Sequence, residues 1–167
     1  MAGLFIDFLW HIAPFVLVLS LVVTVHELGH FLAARSCGIA VERFSIGFGH
    51  PIWSRRDRSG VEWRIGWVPL GGYVMFAGDH NAASVPDAEG LKAMRAEILA
   101  RQGPEALARC YHFKPVWQRA LVAAAGPVAN FLLAIVLFAA LFMTFGERTL
   151  SARIGEVQAG GAAEAAG

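Results

Sequence analysis

Residues 24–30 read TVHELGH. On a helix, positions four apart share a face, so His26 and His30 can present two imidazoles to one metal ion. Two neutral imidazoles completed by a carboxylate are a common zinc donor set. Glu27 sits beside the first ligand. It can take a proton from a water activated by the metal and pass it to a leaving amine. This is the H-E-x-x-H signature of zinc-dependent peptide hydrolysis, with His26 and His30 as metal residues and Glu27 as the catalytic one. The competing account is a structural hydrogen-bond cluster. The location argues against it. The preceding stretch, IAPFVLVLSLVV, carries no charge, and one charge at mid-bilayer costs about 2.5–3.5 kcal/mol on insertion scales.

A catalytic zinc site needs a third protein ligand and one open position. His11 lies on the same helix but about 22 Å from His26, at 1.5 Å per residue. His50, Asp79 and His80 follow in a loop and would have to fold back. The later apolar stretch has neither acid nor histidine. The third ligand is therefore expected outside this chain, and residues 1–167 alone are expected to be inactive.

The elements that must position these residues are those of a membrane protein. Of 167 residues, 56% are hydrophobic and 16% charged, against about 25% charged in soluble domains. The mean hydropathy is +0.52. A net charge of +1 gives no case for nucleic acid as a partner, and no phosphate-binding motif calls for a nucleotide. Two cysteines without CxxC spacing, Cys37 and Cys110, fit a reducing compartment better than a disulfide framework. Residues 1–35 form a first transmembrane helix that carries the motif. Its uncharged core, Ile12 to Val25, reaches spanning length only if HELGHFLAA continues the helix. The segment lacks a basic start and a small-residue cleavage site, so it is expected to be retained. Residues 120–146 contain no charge and form a second transmembrane helix, with Pro127 in its first third.

Eleven of the fourteen Lys and Arg residues lie between these spans, and Arg35 ends the first. The positive-inside rule places that loop, 36–119, in the cytoplasm and both chain ends on the other side. Within it, residues 36–86 form a β-rich loop that dips toward the bilayer. VEWRIGW alternates, with Val61, Trp63, Ile65 and Trp67 on one face. DRSG before it is a turn, and RFSIGFG and GGYVMF are neighbouring strands. Residues 87–119 are amphipathic interfacial helices, with Leu91, Met94 and Ile98 on one side and a break at Gly103-Pro104. The expected fold class is thus a mainly α membrane protein: two transmembrane helices with a membrane-associated β-hairpin or small sheet between them. The lipid bilayer is one partner.

Four stretches occur in the order found in a known family: VHELGHFLAAR, RFSIGFGHPIW, WVPLGGYVMFAGD and FKPVWQRALVAAAGPVANFLLA. The chain resembles the N-terminal portion of site-2 proteases of the bacterial RseP type, over about residues 20–145. The resemblance implies an inner-membrane zinc metalloendopeptidase for regulated intramembrane proteolysis. Its substrates would be transmembrane segments of proteins such as anti-sigma factors, and remnant signal peptides. It implies that the loop 41–78 holds substrate as an added strand, and that a later aspartate is the third ligand. It also implies that residues 147–167 open a periplasmic PDZ domain, truncated here. Asn130, Gly71 and Gly72 become candidate substrate-binding residues. For Asn130 the alternative is an interhelical hydrogen bond, and for the two glycines a tight backbone turn. Against the protease stand a non-catalytic membrane scaffold that retains the fold and a metal transporter. The intact HELGH disfavours the first, and the absence of charge in the second span disfavours the other.

Overall fold

The structure, a computed structural model, describes residues 2–78, 87–146, 159 and 161–162, with side chains from Trp10 onward. Asp79, His80 and nearly all of the segment expected to open a PDZ domain lie outside the described residues. Two compact units are present, residues 1–135 and 136–167. The elements run α1 (Ala2–Ser36), β1 (Val41–Arg56), β2 (Glu62–Phe76), α2 (Ala88–Arg101), α3 (Pro104–Arg109), a 3-10 turn (Tyr111–Phe113) and α4 (Val116–Phe145). Two helical stretches, Trp10–Ser36 and Val116–Phe145, are long and apolar enough to cross a membrane. The motif is on the first, as HELGHFLAA does continue the helix.

Helix α1 stops where Gly38 takes φ +65. The amides of Gly38 and Ile39 return to the carbonyls of Arg35 (3.1 Å) and Ala34 (2.9 Å), the usual way a glycine closes a helix. Arg35 in the last turn and Lys114 Nζ, which donates to Cys37 O at 2.8 Å, place positive charge at the negative end of the helix.

Between the spans, three short strands were expected and two long ones are found. HPIWSRR extends β1 to Arg56. Pairing runs from Arg56↔Glu62 next to the turn to Val41↔Phe76 at the root. The DRSG turn is built on Asp57. Its carboxylate accepts from Ser59 N (2.8 Å), Ser59 Oγ (2.7 Å), Val61 N (3.0 Å) and Trp63 Nε1 (3.0 Å). These donors, Trp63 first, hold its carboxyl down at about 2.

The hairpin is folded back on itself. Residues 43–46 partner 72–75 in one direction and also 62–65, with partner numbers rising together, so this second pairing is parallel. The outcome is a sheet four segments wide, in the order 51–56, 62–66, 41–46, 72–76. Glycines make the bend possible. Gly47 has φ +79 and Gly71 φ +110. A Cβ at Gly66 would strike the Phe48 carbonyl, and one at Gly71 the Phe48 ring. The bend also splits the alternating face of VEWRIGW. Val61 is buried and Trp63 packs against the core, while Ile65 and Trp67, at and beyond the bend, are exposed.

Phe31 of α1 meets Phe44 and Trp63 with ring centroids 5.0–5.6 Å apart. Such aromatic pairs contribute about 0.5–1.5 kcal/mol each beyond their buried area. Ala34, Ile39, Val41, Val61, Val74 and Val122 complete this core. The turn lies at the Arg35 end of α1, where Arg35 Nη1 donates to Ser59 Oγ at 2.9 Å. The bend lies toward the other end, where Ser20 Oγ donates to Pro69 O. Ser20 is about 24 Å along the helix from Ser36. The sheet therefore accompanies α1 along most of its apolar length.

Asp87 caps α2 by accepting from Gly90 N at 2.8 Å, and Ile98 is its buried residue. Gly103, at φ +82, separates it from α3, which starts on Pro104. Cys37 and Cys110 form no disulfide. Helix α4 packs on α1 through small residues. A Cβ on Gly29 would collide with the Ala125 carbonyl and lie 2.8 Å from Ala129 Cβ. Beyond residue 135, Phe138 and Phe142 stack along the same helix at 6.3 Å.

Gly29→Ala should therefore force the two helices apart. Overpacking of this kind costs about 1–3 kcal/mol. The expected result is a thermal unfolding midpoint several degrees lower in detergent (~1–3 kcal/mol of stability lost) than that of the wild-type protein.

Candidate metal centre

His26 and His30 occupy successive turns of α1, with ring centroids 4.8 Å apart and planes at 83°. The sequence spacing put both on one face; helix α4 fixes how they point. His30 Nδ1 lies 2.7 Å from the Val122 carbonyl. A carbonyl oxygen only accepts, so Nδ1 carries the proton and Nε2 carries the lone pair. Pro127 lacks the amide that would bond to the Ala123 carbonyl, one residue from Val122. His26 Nδ1 lies 3.2 Å from the Asn130 side-chain amide.

Both Nε2 atoms converge on the space beside Gly126. A Cβ there would strike His30 Nε2 and lie 2.7 Å from His26 Nε2. The glycine, buried in the face of α4, is a cradle that one methyl group would fill. An imidazole held at Nδ1 by oxygen, as His30 is, with Nε2 directed at a point shared with a second imidazole, is an arrangement in which histidine binds zinc. The donors fit the metal inferred from the spacing. His26 also lines a cleft of about 380 Å³ with Pro127, Asn130, Phe131 and Ala134.

Glu27 faces the sheet. A Cβ on Gly72 would lie 3.2 Å from Glu27 Cγ and 3.5 Å from Val23 Cγ1, and the Val74 backbone interacts with the carboxylate. Gly72 is thus the point at which β2 passes the catalytic candidate. Gly71 faces Phe48 instead. No three His, Cys, Asp or Glu side chains converge among the described residues; His11 and His50 are not brought to the pair. Sequence reasoning missed Val122, whose contribution is a backbone carbonyl with no side-chain signature. The Gly-Pro pair and the small residues at 125 and 129 were the available signal, and they mark a close approach without revealing what is approached.

The model of peptidase family M50 matches residues 14–164. The chain is 60% identical to metalloprotease MmpA of Caulobacter vibrioides over 162 residues, 97% of this chain and 41% of that one. It is 44% identical to the regulator of sigma-E protease RseP of Salmonella typhimurium over 138 residues, 83% of this chain and 27% of that one. A relative from Agrobacterium fabrum, 45% identical over 94% of this chain and 40% of its own length, carries zinc metalloprotease in its name. The chain spans about two fifths or less of the length of these relatives.

Gly126→Ala should displace one or both imidazoles and lower zinc affinity by about 10–100-fold, the loss typical when ligand orientation is disturbed. Chelator competition against the wild-type protein in detergent measures it.

Proposed function

The chain belongs to peptidase family M50, and from that premise we propose that it carries the zinc-binding helix and the general base of an intramembrane metalloendopeptidase. The observation that carries the proposal is the convergence of both histidine Nε2 atoms on the space left by Gly126. His26 and His30 hold zinc through those atoms, and a third ligand comes from outside the described residues. Zinc, when bound there, supplies Lewis acidity toward water and the scissile carbonyl.

Glu27 is the base. It neighbours His26 in sequence but turns toward β2, so it is available for proton transfer rather than for ligation. It takes the proton of the attacking water and returns it to the departing amine. The sheet supplies the substrate's conformation. A transmembrane helix hides its peptide bonds in its own hydrogen bonds and must become extended before hydrolysis. Segment 72–76 is an edge of the sheet, and it passes Glu27 at Gly72. A substrate strand added to that edge has its backbone polar groups satisfied as it unwinds and lies next to the base. The substrate class that follows is a membrane-embedded segment, such as that of an anti-sigma factor or a remnant signal peptide.

The location proposed with it is the bacterial inner membrane, which the two apolar helices support, with loop 36–119 on the cytoplasmic side and the C-terminus periplasmic, which the Lys and Arg asymmetry of the sequence supports. Residues 147–167 then open a periplasmic PDZ domain.

In a longer chain that supplies the third ligand, Glu27→Gln should lower cleavage of a transmembrane substrate by about 10²–10⁴-fold, the contribution typical of a general base, while zinc content stays at the wild-type level. Loss of zinc together with activity would make Glu27 a ligand instead. Topology is tested separately. Cys110 is only 1% exposed and is a poor reporter. With both native cysteines replaced by serine, a cysteine at the exposed position Lys92 should react with an impermeant thiol reagent only after the cells are opened. Reaction in intact cells would reverse the orientation.

A further inference from the structure

We infer that Asn130 is a positioning residue whose amide oxygen accepts the Nδ1 proton of His26 and so fixes the tautomer that leaves His26 Nε2 free to bind metal. The inference rests on the zinc-peptidase reading of the site and assigns a role to a residue that would otherwise be a helix-packing or substrate contact.

The starting observation is the His30 side of the site. The Val122 carbonyl accepts from Nδ1 at 2.7 Å, and that bond sets the His30 tautomer. His26 needs the same tautomer if both rings are to serve one ion. The side-chain group at its Nδ1 is the amide of Asn130, at 3.2 Å. An amide's oxygen and nitrogen are nearly equal in shape, so which one faces the ring is settled by hydrogen bonding.

With the nitrogen facing His26, Nδ1 accepts and the ring proton sits on Nε2. That proton would point into the space beside Gly126, toward which His30 Nε2 also points. The same orientation leaves Asn130 Oδ1 buried with no hydrogen-bond partner. Exchanging the ends moves the NH2 to that place, so the choice is made at the ring: a metal at His26 Nε2 needs the lone pair there and therefore an acceptor at Nδ1. A half-turn of the amide puts Oδ1 on Nδ1–H. Both imidazoles are then held alike: Nδ1–H to an oxygen on α4, Nε2 lone pair toward Gly126. One oxygen is a backbone carbonyl and the other a side-chain amide eight residues later, two turns along the same face of the helix.

The test separates a donor from an acceptor at position 130. Asn130→Asp keeps an oxygen and removes the NH2; Asn130→Leu keeps the shape and removes both. Zinc affinity in detergent should fall about 10–100-fold in Asn130→Leu and stay within about threefold of wild type in Asn130→Asp, as expected where an accepting oxygen is all that is needed. An equal loss in both variants would overturn the inference. The independent readout is the ring-nitrogen NMR spectrum of the metal-free protein with labelled histidine, taken where the imidazoles are neutral and assigned with His26→Gln. His26 should carry its proton on Nδ1 in the wild type; a proton on Nε2 overturns the inference whatever the metal affinities. If Asn130→Leu does not fold, the wild-type spectrum and the Asp variant still decide. If the wild-type protein binds zinc no better than a variant lacking both histidines, the zinc reading fails, while the spectrum still judges the role of Asn130.

Discussion

Polar atoms inside an apolar helix pair must find partners, because a hydrogen-bonding group left unsatisfied away from water costs several kcal/mol. Here three ionisable side chains within five residues of α1 impose that demand, and the surrounding structure meets it one atom at a time. Helix α4 brings the Val122 carbonyl to His30 and the Asn130 amide to His26. The sheet brings Gly72 and the Val74 backbone to Glu27. The partners come from two elements packed on α1, and at each a glycine clears the way. Gly29 lets α4 lie against α1, Gly126 leaves room for the imidazoles, and Gly72 lets β2 pass the carboxylate.

The same demand explains the shape of the hairpin. In the membrane setting proposed above, extended backbone alongside an apolar helix cannot rely on water for its amides and carbonyls. Folding the hairpin back gives its inner segments a neighbour on each side: 43–46 between 72–75 and 62–65. Polar side chains gather near the Arg35 end, where Arg43 and Glu62 pair at 2.8 Å and Glu62 also accepts from Ser54 at 2.8 Å. Arg43 and Ser54 hold the Glu62 carboxyl below its ordinary range, with Ser54 the larger influence. At the bend the exposed side chains are instead apolar, among them Trp67 and Leu70. The sheet is graded from charged to apolar in the direction in which α1 runs from Arg35 toward Ser20.

Much of this was legible in the sequence because it depends on local periodicity. The spacing of His26 and His30 fixes a common face on any helix. The uncharged run 120–146 and the DRSG turn announce themselves by composition, as does the Gly103-Pro104 break. What stayed hidden depends on contacts between residues far apart in the chain. The fold-back that sends Val61 inward and Trp67 outward leaves no trace in an alternating pattern, which reports one face and not where that face bends. The partners of the two histidines lie 92 and 104 residues away. Asn130 was visible as the only amide of an apolar span, yet nothing local states that it meets an imidazole rather than a substrate.

The hairpin is made of residues 41–76, whereas Asn130 follows Phe76 by 54 positions. A chain is synthesised at about 5–20 residues per second, so those positions take about 3–11 s to appear. A hairpin closes in about 1–10 μs. During synthesis the sheet therefore has ample time to settle against α1 and cover Glu27 while both histidines still lack their partners. Arrival of α4 is the step that aligns the rings. Glu27 is sheltered early and the two imidazoles are oriented late.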